Sequence, residues 1–177
     1  TQFNKAADEV AQFGIKIATT VASAATAIGT LAIKSAADFE TSFAKVSTLL
    51  DTNALDVEAY KKRIMQVSSE MNVSTDELCE SIYQAISASV DQADAIDFAT
   101  KAMKLAKGGF TDTATAVDIM TTAINAYGMS AADAESISDK LIMTQNKGKT
   151  TVGDLAAAMG RVIPAANTFG VSLDELC

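Results

Sequence analysis

The stretch Asn72-Val-Ser-Thr-Asp-Glu-Leu-Cys79 decides the fold, and it returns almost unchanged as Gly170-Val-Ser-Leu-Asp-Glu-Leu-Cys177. In each copy a serine stands three residues before a glutamate. This is the spacing of a capping box, in which the two side chains bond free amides at the start of a helix. The expected helix caps here are Ser74 with Glu77, and Ser172. A chain that repeats a helix start in this way is expected to be helical.

Further start signals divide the sequence between the two copies. Ser130 and Thr151 are expected caps of two helices, Asp91 is expected to cap another, and Thr111 or Thr113 is expected to open a fourth. Apolar residues follow these starts at the spacing of one helix face. Gly and Pro, which break helices, are few in the sequence. The pattern therefore predicts an all-α fold.

We predict two parts in this chain. Residues 51–177 are expected to form a compact helical core domain of about six to seven short helices. Because the helix starts recur at a nearly regular distance, a solenoid of repeats is the alternative. The helix interiors do not match each other, which favours the compact domain. Pro164 is expected to kink its helix or end it early.

Residues 1–50 follow a different pattern, in which apolar positions alternate at spacings of four and three. This heptad pattern predicts a long Ala-rich helical arm that packs along its length against a partner, as in a coiled coil, and reaches about Leu50. The partner is either another copy, giving a homo-oligomer, or a segment of the same chain. The expected self-association seam consists of Val10, Ile17, Val21, Ile28 and Leu31.

The uncharged run Ile17–Ile33 gives the arm a second interpretation. Its 17 residues reach the lower limit for crossing a bilayer. Ser23 and several threonines lie among its alanines, which makes the run only weakly hydrophobic. Transient membrane contact is therefore an alternative, whereas a stable membrane span is not expected.

Composition excludes several classes of function. The net charge of −8 argues against specific nucleic-acid binding, which requires clustered Lys and Arg. The absence of His from the sequence excludes a Ser-His-Asp triad and any His-based metal site. Cys79 and Cys177 have no metal-ligand spacing and are expected to be free thiols. We predict no catalytic, cofactor-binding or metal-binding residues, and no enzyme activity.

Two short motifs have features of binding sites. Gly148-Lys149-Thr150 is similar to the end of a phosphate-binding loop, but Met143 stands where that loop needs its first glycine. Asp91, Asp94 and Asp97 are spaced three apart and suggest a cation site. The simpler interpretation is that Gly148-Lys149-Thr150 is a turn between helices and that the three aspartates place negative charge at a helix start.

A longer series of motifs extends over residues 38–177. Its members are Asp38-Phe39-Glu40, the Ser74 box, Ala126-Tyr-Gly-Met-Ser130, Asn146-Lys-Gly-Lys-Thr-Thr-Val-Gly-Asp-Leu155, Pro164-Ala-Ala166 and Phe169-Gly-Val-Ser172. In order and spacing the series resembles the core region of phage tail tape measure proteins of the TP901-1 type. Ser87-Ala88-Ser89-Val90 departs from the family pattern, in which an Ala-Gly pair ending a helix is expected.

The resemblance implies a structural segment of a phage or prophage tail protein. Such a protein acts as a length ruler and assembly scaffold inside the tail tube, with tube and tail tip or baseplate proteins as partners. It would be found in the virion tail, and in the host bacterial cytoplasm during assembly. The alternative function is a membrane-active element that aids genome delivery through Ile17–Ile33. Because the chain stops five residues after Ser172, we expect it to be cut from a longer protein.

Overall fold

The computed structural model describes residues 37–177. The expected seam (Val10, Ile17, Val21, Ile28 and Leu31) and the run Ile17–Ile33 lie outside the described residues. The chain divides into two units, Thr1–Thr41 and Ser42–Cys177. Of the first unit, residues 37–41 are described and are helical. The second unit is a multi-helix domain.

Helices follow one another with short connections throughout the described residues, and no strand occurs among them. The predicted all-α class is confirmed. The helices are α1 (37–47), α2 (Val57–Met71), α3 (Thr75–Ser87), α4 (Ala95–Gly108), α5 (Thr113–Tyr127), α6 (Ala134–Gly148), α7 (Val152–Thr168) and α8 (Leu173–Leu176), with a 3-10 turn at Ala131–Asp133.

Helix α4 is the central element of the second unit. It packs against α3, α5 and α6, and α5 in turn packs against α7. Four alanines, among them Ala99 and Ala102, are buried on α4 and let its neighbours approach closely. Phe98, Met103 and Leu105 fill the space between the helices and are almost completely buried. Burial of a side chain of this size stabilises the fold by roughly 1.5–3 kcal/mol.

The compact unit begins before residue 51, the predicted start of the core. Helix α1 ends at residue 47, and the amides of Thr48 and Leu49 bond the carbonyls of Lys45 and Val46 in a turn. Helix α1 thus ends three residues before Leu50, which the predicted arm reaches. Val46, on α1, and Leu50, after the turn, are both buried.

Two predicted helix starts and one predicted helix end also differ from the structure. Helix α4 begins at Ala95, because the Asp91 carboxylate accepts a hydrogen bond from Ala93 N (2.8 Å) and caps a turn instead. Helix α5 is capped by Asp112, not by a threonine. Helix α7 continues past Pro164 to Thr168, so an early end there is wrong. Proline lacks a backbone N–H, and the hydrogen bond lost in this way costs less free energy than packing of the buried helix face contributes.

Candidate functional site

Ser74 and Glu77 stand at the start of α3. Ser74 Oγ accepts a hydrogen bond from Glu77 N at 3.1 Å. The capping pattern predicts that the Glu77 carboxylate accepts a hydrogen bond from the Ser74 amide. In the structure it accepts one from Thr113 Oγ1 instead, at 2.8 Å. The difference arises because packing of α3 against α5 brings the first residue of α5 beside Glu77. Glu77 thus joins the starts of two helices.

Thr151 and Ser172 are the N-caps of α7 and α8. Thr151 Oγ1 accepts a hydrogen bond from Asp154 N at 3.1 Å and donates one to the Asp154 carboxylate at 2.7 Å. Ser172 and Glu175 form the reciprocal box, in which Ser172 N donates to the Glu175 carboxylate at 2.9 Å. These bonds lower the pKa of Glu175. The two side chains start helices.

Ser130 precedes the 3-10 turn rather than α6 itself. Its amide and its hydroxyl both donate to the Asp133 carboxylate, at 2.8 and 2.9 Å. The bonds from Ser130 lower the pKa of Asp133, since they favour its charged form. Helix α6 begins one residue after Asp133.

A polar cluster lies where α1 meets the start of α3. Ser42 Oγ donates a hydrogen bond to the Asp76 carboxylate, and Lys45 Nζ lies 4.0 Å from the Glu80 carboxylate. Cys79 lies at the bottom of this cluster and is 1% exposed. Burial, with a smaller contribution from Asp76, raises the pKa of the Cys79 thiol to about 12. A thiol held protonated in this way is a poor nucleophile and a poor metal ligand.

The side chain of Gln145 connects three helices, and sequence analysis missed it. Gln145 Oε1 accepts a hydrogen bond from Val152 N at 2.8 Å, and Nε2 donates to the Gly108 carbonyl at 3.2 Å. The end of α4, the last turn of α6 and the start of α7 therefore meet at one buried amide. No local signal marks such a residue, because Gly108 is 37 positions away in the sequence.

Two glycines allow these helix ends to approach. A Cβ atom built on Gly109 would lie 2.4 Å from Val152 Cγ2, far inside contact distance. A Cβ atom on Gly153 would lie 3.1 Å from Thr111 Oγ1. Val152 N also donates to the Gly109 carbonyl at 3.1 Å. We call this contact, formed by Gly108, Gly109, Gln145 and Val152, the α4–α7 junction.

The two motifs with features of binding sites form a helix end, a turn and an ion pair. Gly148 ends α6, Lys149 adopts the left-handed conformation that terminates a helix, and Thr150 N bonds the Gln145 carbonyl. Of the three aspartates, Asp91 caps a turn and Asp97 lies 3.5 Å from Arg63 Nη2. Within residues 37–177, no group of three or more acidic or thiol side chains is arranged to hold a metal ion.

The remaining surface feature is apolar. Six large hydrophobic side chains of the described region are exposed: Met65, Phe110, Met143, Val162, Phe169 and Val171. Phe169 is 85% exposed and Val162 46% exposed, and both belong to the outward side of α7 and its C-terminal end. Among the described helices, none is long and apolar enough to cross a membrane.

Together these contacts define an all-helical protein segment whose described polar side chains start helices and join helix ends. The chain belongs to the family of phage-related minor tail proteins, whose model matches residues 61–177. It is 34% identical over 149 residues to the probable tape measure protein of Clostridium phage phiCD119, covering 82% of this chain and 16% of that protein.

A second relative is the tape measure protein of Pneumococcus phage Dp-1. It is 22% identical over 143 residues, covering 81% of this chain and 12% of that protein. The chain thus spans less than a fifth of the length of the curated relatives it matches. No solved structure matches this chain.

Proposed function

We propose that this chain is a segment of a tape measure protein, which acts as a length ruler and assembly scaffold inside the tail tube of a phage or prophage. The observation that carries the proposal is the 34% identity, over most of the chain, to a probable tape measure protein. In this account the segment works by its length and its contacts rather than by chemistry.

The described unit suits a structural module. Several of its polar side chains form helix caps and junctions, as at Thr151 and Gln145. Its acidic surface suits a protein that must leave the tube as DNA enters, because carboxylates repel phosphates. The proposal therefore includes neither an enzyme activity nor specific nucleic-acid binding.

The arm at residues 1–50 and the core at residues 51–177 have different tasks in this proposal. A helix rises 1.5 Å per residue, so the seam from Val10 to Leu31 would extend about 30 Å along the tail axis. Copies would associate in parallel through this seam as a homo-oligomer. The core would be a compact module along that rod, in contact with tail tube subunits or with tail tip or baseplate proteins.

The proposal is tested in the phage that encodes this chain, during assembly in the host cytoplasm and in the finished virion. Deletion of the gene is expected to abolish tails of normal length, and the full-length gene in trans should restore them. The protein should also be detected in purified tails by mass spectrometry. Normal tails without the gene would contradict the proposal.

Self-association of the arm needs its own experiment. Changing Ile17, Val21 and Ile28 together to Gln should reduce the oligomer mass measured by light scattering. The matched control changes Thr19 and Thr26, which lie off the seam, to Gln and should leave the oligomer intact. Equal masses for the two variants would contradict the seam.

A further inference from the structure

Helix α7 carries apolar residues on two adjacent strips of its surface. The first strip is buried and consists of Val152, Ala156, Met159, Ile163 and Ala166. The second strip, which we call the outer strip, consists of Leu155, Ala158, Val162, Ala165 and Phe169. At about 100° per residue, the outer strip falls within an arc of about 80° beside the buried strip. Its members are exposed except Leu155, which is half-buried.

The outer strip exceeds what α7 needs to bind its own domain. A surface helix typically presents an apolar stripe a little over 100° wide to the core, whereas the two strips of α7 together extend over about 180°. The outer residues are spaced three, four, three and four apart. That is the spacing of residues that interlock with a second helix over two heptads. The pattern therefore indicates a helical partner.

Charge favours another copy of this chain as the partner. The chain has a net charge of −8, so most faces of two copies would bring carboxylates together. Between Leu155 and Phe169 the sequence holds no acidic residue, and its one charged side chain is Arg161. By contrast, the exposed Met143 lies one turn from both Asp139 and Lys147. The outer strip is thus a face on which acidic copies can meet without opposing carboxylates.

We propose that the outer strip is a self-association face, on which a second copy docks its own α7 in parallel and in register. Val162 then meets Val162, and Phe169 meets Phe169. Asp154 and Arg161 share one flank of α7, and a parallel two-fold pair places the two flanks on opposite sides, so like charges are kept apart. The contact is separate from the arm seam.

The outer strip is about 20 Å long. A contact along it therefore buries much less surface area than a stable interface requires. Alone, the outer strip supports only a weak dimer. When another contact already holds two copies together, the outer strips meet at high effective concentration, so the dimer becomes more stable. The inference rests on the proposed function in one respect: several copies of the chain must lie side by side in the tail.

Disulfide trapping of the full chain tests this face. In a Cys177→Ser background, Ala165→Cys places a thiol on the outer strip, and Ala157→Cys places one on α7 outside it. Under mild oxidation, Ala165→Cys should give a covalent dimer with at least tenfold higher yield than Ala157→Cys. Equal yields at the two positions would overturn the proposal.

A charge placed on the strip provides the second arm of the test. Added to Ala165→Cys, Val162→Glu should abolish the covalent dimer, whereas Met143→Glu, at a similarly exposed position on α6, should leave it. Circular dichroism checks that both variants are folded. Equal loss in both folded variants would overturn the proposal. Trapping is measured in vitro, so its failure is distinguishable from failure of the tail experiment.

Discussion

Gln145 Oε1 accepts a hydrogen bond from the amide of Val152 at 2.8 Å, while its Nε2 bonds the Gly108 carbonyl. One buried side chain thereby fixes where α6 ends and α7 begins, relative to α4. Asn146 to Leu155, one of the motifs that resemble tape measure proteins, begins beside it. The resemblance there reflects a helix junction rather than a phosphate site.

Gln145→Leu should therefore destabilise the domain by about 1–3 kcal/mol, because it removes both side-chain hydrogen bonds of Gln145, although the Val152 amide keeps its bond to the Gly109 carbonyl. Asn146→Ala is the matched control, since Asn146 is exposed one position away. Its effect should be within about 0.5 kcal/mol. Urea unfolding followed by circular dichroism measures both. A loss below about 1 kcal/mol for Gln145→Leu would contradict the role given to the junction.

Gly109→Ala should destabilise the domain by about 1–3 kcal/mol, because the added Cβ atom would overlap Val152 and force the start of α7 away from α4. Gly160→Ala is the comparison. Gly160 lies within α7 with open space around it, so alanine there should stabilise the helix by up to about 1 kcal/mol. Thermal unfolding should therefore shift in opposite directions for the two variants. Shifts in the same direction would be inconsistent with close packing at Gly109.

The stability of the domain should decrease in acid through its helix caps. Hydrogen bonds from Thr115 hold the pKa of Asp112 below its ordinary value of 3.8. A carboxylate whose pKa is lowered by folding stabilises the native state above its unfolded pKa, and this contribution is lost as the pH falls through the folded value. The cap should thus be fully effective at pH 6 and lost as the pH falls below 3.8 and through the lower pKa of the folded state.

Asp112→Ala should lose about 1 kcal/mol of unfolding free energy at pH 6 and much less at pH 2.5. Asp118→Ala, on the exposed side of the same helix, serves as the control. The measurement is urea unfolding at both pH values. A difference from the wild type that does not change with pH would argue against the charged cap.

The two thiols should react differently. Burial raises the pKa of Cys79 to about 12, so that side chain should resist iodoacetamide at pH 8 in the folded protein. Cys177 is only partly buried and should be labelled first. Mass spectrometry of peptides after timed labelling reports each site. Labelling of Cys79 at the rate of Cys177 without denaturant would show that the core around α3 is open.

Local chemistry explains how much of this fold was predictable. A hydroxyl three residues before a carboxylate is a frequent mark of a helix start, so the all-α class followed from such signals, and Ser74, Thr151 and Ser172 stand at N-caps in the structure. Asp112 carries the same kind of signal, but it stands between two threonines that compete with it as caps.

Contacts between distant residues could not be predicted in this way. The bond from Thr113 to Glu77 joins residues 36 positions apart, and it replaces the local bond that the capping pattern predicts. Leu50 likewise continues the apolar pattern of a helix, yet the chain turns at residues 48 and 49 to bury it. In both cases tertiary packing decided between local alternatives of similar energy.

The central claim, that this chain belongs to a ruler, is tested most directly by tail length. In the encoding phage, an in-frame deletion of residues 8–35 removes four heptads of the arm, about 28 residues. If each residue adds 1.5 Å of helix, tails measured by electron microscopy should shorten by about 42 Å, and a tandem duplication of the same segment should lengthen them equally. Infectious particles whose tail length is unchanged by both the deletion and the duplication would contradict the account.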